Sequence, residues 1–239
     1  MSRPPPQDGE AVRRLARLDS CALSDALDRL SLDGCVTGLA PRSIAVRLCG
    51  RARTVELAAG PPPAAGGPPR HLGTAAIDAA VPGDVIVIEQ RTGIEAACWG
   101  GILSHGAKLR GVSGVIADGP VRDVDEAREL AFPVFSRSVT ARTARGRIHE
   151  SSTDAPVRIG EVRVYPGDYV LADSSGVVFV RAERIAEVLA LAETIAAREA
   201  QMIERVRAGQ SIAAVMGAEY ERMLERSRAN AGETAGEKT

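Results

Sequence analysis

Aromatic residues are scarce in this chain: three Phe, three Tyr and one Trp make up 3% of 239 residues. Platforms for stacking bases are therefore poorly supplied. The net charge of -1 offers no general attraction to nucleic acid or to an anionic membrane, and neither is expected as a partner. Lysine is rarer still, with only Lys108 and Lys238 present. A Schiff-base mechanism would have to use Lys108, since Lys238 lies in the terminal tail, and polarisation of a carbonyl by a metal ion is the simpler option. The four cysteines (Cys21, Cys35, Cys49 and Cys98) form no CxxC pair, which favours reduced thiols over a disulfide framework or a zinc site. No apolar run approaches the roughly 18 residues needed to span a bilayer. The opening MSRPPPQDGE lacks the apolar centre of a signal peptide. A soluble cytoplasmic protein is expected.

Several motifs are missing as well. No HExxH occurs, and His71, His105 and His149 are far apart, so each reads as a surface or core histidine rather than a metal ligand. No GxGxxG follows a strand, which removes support for a dinucleotide site or a methyltransferase cofactor loop. Gly101 to Lys108 grazes the phosphate-loop pattern, but Ala107-Lys108-Leu109 lacks the Gly-Lys-Ser/Thr ending it requires.

What is present, 45% hydrophobic residues, suffices for a sizeable core. After a Pro-rich start, the spacing predicts helices over Glu10 to Leu18 and Ala22 to Leu30, the second capped by Asp19 or Ser20. Gly34 to Gly38 reads as a turn region. Ile44 to Leu48 and Arg51 to Leu57 read as strands joined at Cys49-Gly50, and Gly60 to Arg70 as a Pro-rich loop. His71 to Ala80 reads as a short helix. Val85 to Ile88 is a continuous apolar run, expected of a strand covered on both faces. Ser138 to Ser152 is ambiguous, and Ala155 to Val164 gives two short strands around Gly160. Tyr165-Pro166-Gly167-Asp168 echoes Val81-Pro82-Gly83-Asp84, each followed by an apolar strand. Tyr169 to Ala172 and Val177 to Val180 form a hairpin. A long helix runs from Ala182 to about Arg207, ended by Gly209. Another helix spans Ile212 to Arg226, and Asn230 to Thr239 reads as a disordered tail. The class is α/β with a mixed sheet.

The stretch Cys98 to Phe135 organises the rest. Gly100 and Gly101 precede a helix over Ile102 to Arg110, followed by the apolar run Val115-Ile116-Ala117. Asp118-Gly119-Pro120 reads as a turn, then come Arg122 and Asp123 side by side. A short helix from Val124 to Leu130 and a strand from Phe132 to Phe135 complete it. Backbone N–H groups at a glycine-lined helix start suit a carboxylate or phosphate, Arg122 offers a two-point fork, and Asp123 is left to hold a metal ion. The bland reading stands beside it: Asp123 and Glu126 also fit a capping box for the Val124 helix, Arg122 an exposed turn charge, and Glu199 a solvated helix face.

The segments Gly100-Gly101-Ile102-Leu103, Gly111 to Val115, Asp118-Gly119, Val121-Arg122-Asp123-Val124 and Phe132 to Phe135 together resemble the RraA-like family. Gly50 to Val55, Pro82 to Val87, Pro166 to Asp173 and Gly176 to Val178 extend the likeness, from about Ser20 to about Gly209. That family holds divalent-metal-dependent 4-hydroxy-4-methyl-2-oxoglutarate/4-carboxy-4-hydroxy-2-oxoadipate aldolases and also RraA regulators of ribonuclease E. The resemblance implies an α/β sandwich related to swivelling phosphohistidine domains, spanning residues 10–209 as a catalytic domain, with a C-terminal helix and tail over 210–239. It implies homotrimers or homohexamers, Mg²⁺ or Mn²⁺ held at Asp123, and a pyruvyl carboxylate held by Arg122 and the backbone of Gly100, Gly101, Ile102 and Leu103. It also implies a catalytic role for Glu199, contributed from the C-terminal helix of a neighbouring subunit. The function it implies is retro-aldol cleavage of a 2-oxo acid through a pyruvate enolate, with oxaloacetate decarboxylation. The other function it implies is binding and regulation of an RNA-degradation enzyme without catalysis. Gly101 departs from the many aldolases with an acidic residue there, and the Gly60 to Arg70 loop departs too.

Overall fold

The long apolar runs become strands with a different core on each face. In the computed structural model, which describes residues 7–63 and 71–217, β4 (Asp84–Glu89) points Val85 and Val87 into one cluster and Ile86 and Ile88 into another. Each such side chain, fully buried, contributes about 1.5–3 kcal/mol. The same split occurs in β10 (Tyr169–Ala172), where Val170 and Ala172 face inward while Tyr169 and Leu171 face a helical layer. These alternations define a curled sheet with a packed interior and a helical layer on each outer face.

The sheet is organised by β3 (Leu48–Ala59), a 12-residue strand. It runs parallel to β4 and antiparallel to β10, and its far half pairs with β7 (Ile148–Thr153). Outward from β4 lie β5 (Gly114–Val121) and β6 (Val134–Val139), both parallel, then β2 (Ala40–Pro41). Outward from β10 lie β11 (Val177–Val180) and β1 (Cys35–Val36), both antiparallel. A small hairpin, β8 (Val157–Ile159) with β9 (Val162–Val164), adds Val157, Ile159, Val162 and Val164 to the interior. One helical layer contains α3 (Thr74–Ala79), α4 (Gly101–Leu109) and α5 (Val124–Glu129), packed on β4 and β5. The other contains α1 (Gln7–Leu15), α2 (Ser20–Arg29) and the 23-residue α6 (Ile185–Arg207), packed on β10 and β11. This is the expected α/β class with a mixed sheet and a C-terminal helix. Among the described residues no helix is long and apolar enough to cross a membrane.

Most elements fall where the pattern placed them, and the exceptions have physical causes. Ile44 to Arg47 are not a strand, and Cys49-Gly50 does not turn. Gly50 lies inside β3, where a Cβ would come within 2.2 Å of the Gly83 carbonyl oxygen, so the glycine permits close strand packing rather than a bend. Asp118-Gly119-Pro120 is not a turn either: β5 continues through it, with a register shift against β6 between Ala117 and Pro120. The Asp118 carboxylate is buried and accepts from Arg137 Nε at 2.5 Å and Gly160 N at 2.6 Å, which holds the strand extended. Cys35 and Val36, expected in a turn region, pair with β11. Of the ambiguous Ser138 to Ser152 stretch, residues from Ile148 onward are β7. The helix expected over Ile212 to Arg226 is short in the described residues: α7 (Ile212–Val215) ends at the Met216 cap. Residues 218–239, which hold the rest of the expected helix span and the tail, lie outside the described residues, as do residues 1–6 and residues 64–70 of the Pro-rich loop.

The two Pro-Gly-Asp segments fold alike. Gly83 and Gly167 take left-handed φ of 92° and 87°, which favours glycine. Asp84 Oδ2 accepts from Val81 N at 3.0 Å and Asp168 Oδ2 from Tyr165 N at 2.8 Å. The turns launch β4 and β10, the two strands that flank β3.

Candidate functional site

The loop before α4 is laced to the end of β5: Cys98 N donates to the Pro120 carbonyl and Arg122 N to the Trp99 carbonyl, at 2.9 and 3.0 Å. Trp99 stacks parallel to Phe132 and donates from Nε1 to Ser104 Oγ at 2.9 Å, which in turn bonds the Gly100 carbonyl. The start of α4 is thereby clamped against the exit of β5. Cys98 stands behind it, its thiol pushed up to about 12 by burial, and all four cysteines are free. Such a thiol is inert at neutral pH.

The exit of β5 carries Arg122 and Asp123. Asp123 takes a left-handed backbone, φ 56°, ψ 38°, an uncommon conformation for a residue with a side chain. It is the residue before α5 but makes no side-chain cap there, so the Asp123–Glu126 capping box does not form. Its carboxylate instead reaches α4, where Oδ2 accepts from Gly101 N at 2.9 Å and lies 3.3 Å from Arg122 Nε. The two side chains are 42% and 38% exposed, so both remain open to solvent and to a ligand. Gly100 is needed for this approach, since a Cβ there would meet Asp123 Oδ2 at 2.7 Å.

These groups border an open cavity of about 300 Å³. Gly100, Gly101, Ile102, Leu103, Arg122 and Asp123 all line it, so six of the residues singled out from the sequence gather at one place. Glu199 does not. It sits on α6 in the other helical layer, where burial first and then the charges of Asp25 and Asp19 raise its carboxyl above the ordinary value. Lys108 is also absent from the lining; it sits in the last turn of α4 and donates to the Leu130 carbonyl. The polar and aromatic lining also includes Trp99 and Thr143, together with His71 and Glu126, which the sequence presented as a plain histidine and a cap partner. His105, read as a plain surface or core histidine, pairs through Nε2 with Glu126 Oε1 at 3.0 Å. Their positions three and four residues beyond Asp123 and Gly101, at matching helix starts, were the only available signal.

Among the described residues no three His, Cys, Asp or Glu side chains converge as a metal cage. A closed zinc-type site is therefore not formed. Hydrated Mg²⁺ requires less, one or two carboxylates with water and substrate oxygens completing the shell. Asp123 suits it: Oδ1 accepts no hydrogen bond from the described residues, and the cavity has room for water.

A family model described as RraA-like, Aldolase/RraA, matches residues 20–179, and the chain belongs to the RraA-like family. A solved Pseudomonas syringae structure superimposes with a TM-score of 0.78 at 29% identity, covering 90% of this chain and 100% of that one. Streptomyces coelicolor RraAS2, described as an unusual member of the RNase ES inhibitor RraA family, superimposes at 0.70 with 27% identity, covering 86% and 98%. A Halalkalibacterium halodurans protein provisionally named as a 4-hydroxy-4-methyl-2-oxoglutarate aldolase is 29% identical over 71% of this chain and 75% of its own length. Legionella pneumophila DlpA is 27% identical over 84% of this chain, which spans only 32% of DlpA. The chain spans 60% of the 35% identical protein MJ0644 of Methanocaldococcus jannaschii. The family match ends before α6, so Glu199 lies outside it.

Proposed function

We propose that this chain is a divalent-metal-dependent lyase that cleaves a C–C bond of a 2-oxo acid through a pyruvate enolate. The observation that carries the reading is the Arg122–Asp123 corner set against the Gly101 start of α4 across one open cavity. Arg122 grips the 2-oxo acid carboxylate with its fork. Amides at the start of α4 past Gly101, at Ile102 and Leu103, add donors and a favourable helix dipole. Holding that carboxylate at two points orients the bond to be cleaved. Asp123 would hold Mg²⁺ or Mn²⁺, which when bound supplies a positive charge that stabilises the developing enolate. Retro-aldol cleavage of a 4-hydroxy-4-methyl-2-oxoglutarate type of substrate and decarboxylation of oxaloacetate share that enolate, so one site serves both. Glu199 would act only from a second copy in a homotrimer or homohexamer, because within one chain it belongs to the other helical layer.

The test is pyruvate release from oxaloacetate and from 4-hydroxy-4-methyl-2-oxoglutarate, with Mg²⁺ and then with EDTA. Metal-dependent turnover of either acid is the expected result. The second reading, regulation of an RNA-degradation enzyme, is favoured by the likeness to RraAS2. It predicts no turnover, and an effect on the ribonuclease that survives Arg122→Ala and Asp123→Ala.

A further inference from the structure

The carboxylate of Glu126 occupies the place where a side chain at position 101 would begin. A Cβ built on Gly101 would lie 1.8 Å from Glu126 Oε2, 2.4 Å from its Cδ and 2.8 Å from Oε1. Glu126 belongs to the first turn of α5, Gly101 to the first turn of α4, and both line the cavity beside Arg122 and Asp123. One turn further along α4, His105 holds Glu126 Oε1 through Nε2. The imidazole is 53% exposed and the carboxylate 45%, so the pair reaches from the cavity mouth to bulk water. An exposed side-chain contact of this kind adds little stability, and stability alone gives no reason for a glycine that leaves room for it.

We propose that Glu126, given space by Gly101 and held by His105, is the proton-transfer residue of this site. The inference rests on the 2-oxo acid reading above. In the retro-aldol direction the Glu126 carboxylate takes the proton of the 4-hydroxyl as the C3–C4 bond breaks. The bonding pair becomes the pyruvate enolate, and C4 leaves as a carbonyl. Glu126, now a carboxylic acid, returns the same proton to C3 to make the pyruvate methyl, so no net proton is consumed. In decarboxylation CO₂ departs with no hydroxyl to deprotonate, and the proton given to C3 is replaced from water through His105.

The experiment uses the full chain with Mg²⁺ and reads three quantities: deuterium uptake into the methyl group of pyruvate in D₂O, cleavage rate, and the dissociation constant of pyruvate. Glu126→Gln keeps shape and removes the proton acceptor. It is expected to slow both exchange and cleavage about 10²-fold or more, while pyruvate binding and melting temperature stay near those of the parent. Gly101→Ala, whose methyl would collide with the carboxylate, should slow exchange as well. Because a side chain from 101 would start where Glu126 ends, Gly101→Asp combined with Glu126→Ala should recover much of what Glu126→Ala alone loses. Exchange that is unchanged in Glu126→Gln, and lost instead in Glu199→Gln, overturns the proposal while leaving the lyase reading intact. A parent protein that neither exchanges pyruvate nor cleaves any 2-oxo acid sinks the lyase reading itself, and this inference with it.

Discussion

Asp168 and Asp123 each stand next to a chain reversal, and they use their carboxylates in opposite ways. At the Tyr165–Asp168 turn the conformational demand is met by Gly167, and Asp168 spends one oxygen on its own turn, at Tyr165 N, and the other on Ala182 N and Arg181 just past β11. At the β5–α5 corner the left-handed backbone falls on Asp123 itself, and its carboxylate bypasses the adjacent helix to bond α4. The first arrangement follows local turn chemistry and is buried; the second breaks it and opens on a cavity. Departures from local rules concentrate where structure is held for a ligand. On the proposed function, Asp168 serves stability and Asp123 serves chemistry.

Substitutions can break that contrast. Asp123→Gly should cost about 10³-fold in kcat/KM, the scale of losing an electrostatic contact at a developing charge. It should barely move the melting temperature, because glycine relieves the left-handed backbone while the Gly101 cap is lost; a melting curve beside steady-state kinetics decides it. Arg122→Lys keeps the charge but loses the fork, with an expected loss of about 10- to 100-fold, mostly in KM. Asp168→Ala should do the reverse, leaving turnover alone while lowering unfolding free energy by about 1–3 kcal/mol in urea, because Tyr165 N and Ala182 N lose their acceptor.

The smallest effect is a pH signature. Burial raises the Asp168 carboxyl above its ordinary value despite those hydrogen bonds. Its shift therefore contributes stability that is present below the unfolded-state pKa and lost as pH rises through the folded one. For Asp173 burial also acts upward, but hydrogen bonds from the Ser20 hydroxyl and N–H and from Ser175 and Gly176 N–H outweigh it and hold the carboxyl low. That contribution is present above the unfolded-state pKa and lost as pH falls through the folded value. Urea midpoints between pH 2 and 6, about the range where carboxylates titrate, should accordingly converge for Asp173→Asn and its parent at the acid end.

Much of the fold could be read from period and punctuation, because β4, β10, β11, α2 and α6 owe their form to their own residues. The misplacements arose where a distant group decided. Asp118-Gly119-Pro120 reads as a turn until Arg137 and Gly160 are brought against the Asp118 carboxylate. Gly50 reads as a joint until Gly83 is packed on it. At the site, Arg122, Asp123 and the Gly100–Leu103 start were legible as a pair and a helix mouth. Glu126 read as a cap partner because Gly101, which makes room for it, is distinguished only by what it lacks, and His105 was missed because β5 separates it from Glu126 in sequence.

The central position of β3 has a consequence for how the chain is made. During synthesis Leu48–Ala59 emerges early, finds its parallel neighbour β4 soon after, and then waits for Ile148–Thr153 and Tyr169–Ala172 before its other edge is covered. A long strand with unpaired amides and carbonyls invites pairing with other nascent chains. A chain cut before residue 148 would leave that edge of β3 without either of its antiparallel partners.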